Sequence, residues 1–167
     1  PNAFGESGIP FIRAGSLQDL QNGKREEDFK LINQDFAKKY RLKLFPKDTV
    51  IFAKSGMSAK LGRIYRLKTP SYLVSHLAAI LPSEDLNPGY LERWLHKNPP
   101  SRLIPNDAYP SIKTSSIASM KIELPELGYQ EHVAKILDEA DALRQKRKES
   151  IKLLDDFLRS TFLEMFG

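Results

Sequence analysis

The stretch DTVIFAKSGMSAKLGRIYRL, residues 48–67, frames the reading of the whole chain. Thr49 to Ala53 form a β-branched and aromatic run, and LGRIYRL alternates apolar with basic residues. Two such runs around a Gly/Ser-bearing segment predict antiparallel strands joined by a loop from Ser55 to Leu61. The loop's glycines, hydroxyls and lysine suggest phosphate binding. A nucleotide cradle is excluded, because a P-loop needs G-x-x-x-x-G-K-[ST] followed by a helix. Here five residues, rather than four, separate Gly56 from Gly62, Arg63 follows without Ser or Thr next, and RIYRL reads as a strand.

Outward from this pair, the N-terminal part reads as mixed α/β. GIPFIRAGSL (8–17) carries a strand signal bounded by Gly and Pro. NQDFAKKYRL (33–42) predicts a short helix with Asn33 or Asp35 as N-cap. YLVSHLAAILP (72–82) reads as one buried strand, and IKTSSIASMKIELP (112–125) returns to strand-like chemistry. Between them NPGYLERWLHKNPP (87–100) has helical spacing and stops at two prolines.

Pro125 marks a change of regime, for Gln130 to Phe166 contain neither Pro nor Gly. A four-three alternation picks out Val133, Leu137, Ala140, Arg144, Arg147, Ile151, Leu154, Leu158, Thr161 and Met165. Seven of these ten are apolar, which makes a coiled-coil seam that wants a partner helix. Thirty-seven helical residues would span ~55 Å, longer than a small domain is wide, so a protruding arm is expected. Arg144 and Arg147 interrupt the seam and could set register or face a partner's carboxylates. The fold class is therefore α+β: a mixed α/β head over residues 1–124 and a long helix of coiled-coil type within 125–167.

Charge follows the same division. Residues 1–129 hold 19 Lys/Arg against 13 Asp/Glu, whereas residues 130–167 hold 7 against 8. Lys38 to Lys68 carry ten basic residues and one acid, Asp48. Such a concentration attracts polyanions and points to a nucleic-acid face. The candidate DNA-facing residues are Arg13, Lys38, Lys39, Arg41, Lys43, Lys54, Lys60, Arg63 and Arg66, with Ser55 and Ser58 in the turn. Tyr109 and Lys113, before the last expected strand, are second choices. Arg63 or Arg66 could make bidentate bonds to guanine. The same chemistry admits an RNA-binding or ribonucleoprotein accessory domain with a dimerising helix as the alternative.

Other chemistries lack their residues. Asn98 to Ser101 (NPPS) lack the aromatic fourth residue of an amino-group methyltransferase tetrad. KDTVIFAK has no acid two residues before Lys54, as a metal-dependent nuclease would need. His76, His96 and His132 show no metal-ligand spacing and are read as structural or exposed. With no cysteine, disulfides and thiolate metal sites are excluded. The absence of cysteine is compatible with a reducing cytoplasm, the expected location, and no stretch reaches the ~18 uncharged apolar residues of a membrane span, so no membrane partner is expected.

GIPFIRAGSL, FPKDTVIFAKSG…LGRIYRL, NPGYLERWL and SIKTSSIASMKIELPELGYQEHVAKILDEAD occur in the order seen in specificity subunits of type I restriction-modification enzymes. The Pro-Glu-Leu-x-x-Gln helix start and the ending LLDDFLRSTFLEMFG resemble that family most closely. The resemblance covers nearly the whole chain. It implies a target recognition domain reading one half of a split double-stranded DNA target, and a spacer helix that packs antiparallel with another and docks methyltransferase subunits. It also implies no catalysis and no cofactor in this chain. S-adenosylmethionine, ATP and Mg would serve the modification and restriction subunits of the complex. A complete subunit of the family has two recognition domains, so this chain is expected to be a fragment ending at Gly167, or a half-length subunit that pairs with a second copy.

Overall fold

The structure is a computed structural model that describes residues 3–166. Pro1, Asn2 and Gly167, and with Gly167 the expected start of a second domain, lie outside the described residues.

The head holds two small sheets. Strands β1 (Phe4–Gly5), β2 (Ile9–Ile12), β3 (Leu31–Ile32), β4 (Leu44–Phe45) and β7 (Ser71–Leu73) form one, in the order β1-β3-β2-β7-β4. Strands β6 (Ile64–Arg66), β5 (Val50–Ala53) and β8 (Leu77–Ile80) form the other, with β5 in the middle. The expected antiparallel pair is present, with Val50 opposite Arg66 and Phe52 opposite Ile64. All four residues of β5 are buried, which is why its sequence shows no alternation. Ile51 and Ala53 join Ile12, Leu17 and Leu77 in one apolar cluster, while Val50 and Phe52 pack with Leu91 and Leu95 in another.

Helix α1 (Ser16–Gln21) follows β2, and α2 (Gln34–Lys39) covers the first sheet through Ala37. Asn33 is the α2 cap, its side chain accepting the Asp35 N–H at 2.7 Å. Helix α4 (Pro88–Lys97) begins as its sequence predicts, with Asn87 accepting the Tyr90 N–H at 3.0 Å and Pro88 at the first turn.

Three expectations need correction. The Ser55–Leu61 loop contains a one-turn helix, α3 (Met57–Lys60), entered through Gly56 at φ +74°, a conformation that favours glycine. Residues 72–82 are not one strand. A turn at Val74–His76 divides them between the two sheets, with the Leu77 N–H donating to Val74 O at 3.0 Å. Residues 112–125 form no strand; Thr114–Ala118 is a short helix, α5, whose hydroxyl and β-branched composition imitates a strand.

The last helix, α6 (Leu127–Phe166), has 40 residues and begins three residues before the Pro- and Gly-free stretch. At 1.5 Å per residue it is ~60 Å long. Its first turns dock on α4 through Gln130 and Ala134, both buried. A Cβ at Gly89 would lie 3.0 Å from the Ala134 Cβ, so glycine in the Asn-Pro-Gly start lets the two helices approach. From Ala142 to Phe166 every described residue except Thr161 is exposed.

Candidate nucleic-acid interface

Strand register decides where the head's cations lie. β2 and β7 are parallel, with Ile12 beside Leu73, so Arg13 and Val74 leave the sheet at the same end. β4 runs antiparallel to β7 with Leu44 opposite Tyr72, so Lys43 enters at that end too. Lys30, just before β3, accepts the Phe11 N–H at 2.9 Å and joins them.

The second sheet adds to the same rim. Ala53, the last residue of β5, pairs with Leu77, and the Lys54 N–H donates to His76 O at 2.9 Å. Phe52 opposes Ile64, so Arg63 lies across from Ala53. The short Val74–His76 turn makes the two rims continuous, with the Val74 N–H donating to Ile12 O at 3.1 Å.

The segment before α5 is tied to this edge. The Gly56 N–H donates to Pro110 O at 2.9 Å, and the Ile112 N–H donates to Lys54 O at 2.7 Å. A bridge between Ser55 and Ser111 brings Tyr109, 82% exposed, and Lys113 toward the turn. Lys38, Lys39 and Arg41 occupy the last turn of α2 and its exit, all exposed, on the path to Lys43. Ser58 and Lys60 lie on α3, where Lys60 pairs with Asp107 at 3.3 Å. Ser55 is half-buried, with its Oγ 2.6 Å from His76 Nδ1.

Arg66, expected among the DNA-facing residues, does not lie with this group. Three residues beyond Arg63, it sits opposite Val50 at the far end of β5. There its guanidinium lies 3.3 Å from Glu92 and 3.0 Å from Asp138 of α6. Arg93 bridges Asp138 at 2.7 Å and also bonds Asp141, in a polar cleft of about 510 Å³ between head and arm. Partial burial opposes the charge of Asp138, but hydrogen bonds from Arg93 and Arg66 outweigh it and hold the carboxyl below its usual range. Asp141 is lowered chiefly by the Arg93 hydrogen bond. His96, in the same cleft, is pushed down by burial.

The arm's expected seam divides in two. Head docking uses Gln130, Ala134, Asp138 and Asp141, about a quarter of a turn away from the four-three stripe. Val133 and Ala140 are half-buried at its margin, while Leu137 is 39% exposed. Arg144 bonds Asp141 at 3.3 Å and Arg147 is exposed. Ile151, Leu154, Leu158 and Met165 stand in solvent with Leu143, Phe157 and Phe162. Sequence reasoning missed His76 and Lys30, since neither has an informative neighbour in sequence and register alone places them at the rim.

No curated protein sequence matches the chain. Among solved structures, one similar chain comes from work on complex assembly and conformational transition of the type I R-M system. It has 17% identity and TM-score 0.63, over 98% of this chain and 40% of that one. The HsdS subunit from Thermoanaerobacter tengcongensis has 19% identity and TM-score 0.59, over 88% and 34%. The type I restriction-modification S subunit from M. genitalium has 17% identity and TM-score 0.58, over 93% and 38%. The likeness is therefore one of fold, and the chain spans 40% or less of the length of these three relatives. The sequence model described as "Type I restriction modification DNA specificity domain" matches residues 4–153. With that match over most of its length, the chain belongs to the family of type I restriction-modification DNA specificity domains.

Proposed function

We propose that this chain is one recognition unit of a specificity subunit, reading one half of a bipartite duplex DNA target with its basic rim. The supporting observation is a separation of ends. Strand register collects Arg13, Lys30, Lys43, Lys54 and Arg63 on one edge, and the arm docks through Arg66 and Arg93 at the other. In this reading the rim grips the duplex while the arm projects away from it. The exposed stripe from Leu143 to Met165 pairs with a second spacer helix, from another half or another copy, and docks the modification subunits. Adenine methylation with S-adenosylmethionine, and ATP- and Mg-dependent translocation and cleavage, fall to the modification and restriction subunits. Among the described residues no helix is long and apolar enough to cross a membrane, and the proposed location is cytoplasmic, with the DNA.

The test is duplex binding against salt. With about five phosphates contacted, log K should fall against log salt with a slope of roughly −4 to −5. Lys43→Ala with Lys54→Ala should reduce that slope by about 2 and weaken all sequences alike. An affinity indifferent to salt refutes the electrostatic rim. Stronger retention of RNA than of duplex DNA at matched salt would transfer the reading to a ribonucleoprotein role.

A further inference from the structure

Building on DNA recognition by the rim, we propose that the hollow where the two sheets meet reads base edges, while the surrounding lysines hold phosphates. Arg13 takes the major-groove edge of a guanine, and His76, oriented by Ser55, takes the adjoining base. The hollow has about 360 Å³ and is lined by Arg13, Ser55 and His76 together with Ala14, Gly56 and Val74.

Three chain segments build it, and backbone hydrogen bonds lock them to one another and to the segment before α5. The Val74 N–H donates to Ile12 O, the Lys54 N–H donates to His76 O, and the Gly56 N–H donates to Pro110 O. The site is therefore held by strand ends rather than by a free loop, as discrimination between bases requires. The 2.6 Å Ser55–His76 contact occupies Nδ1 and fixes the imidazole ring, which leaves Nε2 as its one unspent polar atom. One oriented group beside apolar Ala14 and Val74 suits a base edge with its methyl or ring face. A phosphate would call for several convergent donors in a polar setting.

Arg13 fits the same division. Its guanidinium lies 5.8 Å from the Phe4 ring centroid and 5.7 Å from that of Phe11, so a planar fork is held beside aromatic rings at the mouth of the hollow. A fork of that shape matches guanine O6 and N7. Lys43 and Lys54, by contrast, make no side-chain hydrogen bond or ion pair among the described residues. Lys43 Nζ rests 5.1 Å from the Phe45 ring centroid, but an ammonium remains a point charge without a planar fork, adequate for phosphates and poor at telling bases apart.

The experiment presents the full chain with a random-insert duplex library at low salt, then sequences the bound and free pools. The parent should prefer one base at one position by about fivefold or more, the low end of a bidentate contact. Arg13→Lys retains the charge but not the fork, so that preference should fall below about twofold with the salt slope unchanged. His76→Ala and Ser55→Ala should relax the adjoining position, while Lys43→Ala weakens every sequence equally. Urea unfolding midpoints equal to the parent's show that the exposed substitutions leave the fold intact. If Arg13→Lys and His76→Ala preserve the parent's preferences, or weaken all sequences alike, base reading by this hollow is overturned and the rim remains a DNA-binding surface. Failure of the parent to retain duplex DNA would overturn both readings, and the parent control reports it separately.

Discussion

Gln130 is the side chain that fastens the arm to the head, and its replacement is the most informative test of the architecture. It is 1% exposed. Its Oε1 accepts the Asn87 N–H at 3.0 Å, while Nε2 donates to Asp85 O at 3.1 Å and to Pro125 O at 2.8 Å. One amide thereby joins the start of α6, the entry to α4 and the segment between them. In Gln130→Leu, of similar volume, all three bonds are lost. At about 1 kcal/mol net for each, the cost is about 3 kcal/mol. For a chain of this length, 1 kcal/mol corresponds to about 2–4 °C, so Tm should fall by roughly 6–12 °C. Trp94, the sole tryptophan, lies on α4 beside the second core cluster and provides the fluorescence signal for urea unfolding. Gln130→Glu adds a check of sign. The acceptor for Asn87 survives, but the carboxylate faces two carbonyl oxygens, so its folded-state pKa is expected to rise. The stability contributed by the protonated form is then present at low pH and lost as pH rises through that value. The Glu variant should lose more stability relative to the parent at pH 7 than at pH 4. A Leu variant within about 0.5 kcal/mol of the parent would refute the assignment of Gln130 as the fastening.

The remaining tests address the charged cleft and the arm. Asp138 and Asp141 have folded-state values below the usual range, so their contribution is present at neutral pH and lost as pH falls below about 4. Hydrogen exchange should show the first turns of α6 loosening in that window, and Asp138→Asn should blunt the acid limb; an identical profile in the variant counts against the network. Leu154 is 60% exposed, so Leu154→Asp should change the stability of the single chain by no more than about 0.5 kcal/mol. It should nevertheless abolish helix pairing and capture of modification subunits, because a charge would enter an apolar seam. Sedimentation and pull-down results identical to the parent's would rule out that stripe as the pairing face.

Elements whose local chemistry matched their tertiary setting were legible. α4 announces itself through Asn87, Pro88 and apolar spacing, and β5 and β6 through unbroken and alternating apolar runs. Residues 72–82 misled because the dividing turn, Val74-Ser75-His76, contains neither Gly nor Pro, so nothing in the composition marks a change of sheet. Thr114–Ala118 misled because strand-like residues on a short connection became helical in context. In the candidate site, the cations of residues 38–68 could be named from sequence, whereas His76 could not, since its partner Ser55 is 21 residues away.

The sequence by itself determined a basic head, an amphipathic arm and the break between them. Charge density and hydrophobic period are properties of neighbouring residues, and a one-dimensional reading captures them. Tertiary structure alone decided which cations share an edge. Arg13 and Lys43 meet because β2 and β4 flank β7 in opposite directions, and Arg63 parts from Arg66 because three residues carry a strand from one end of a small sheet to the other. Those placements arise from hydrogen-bonded pairing between distant segments, such as Phe11 with Tyr72, and no local pattern encodes them.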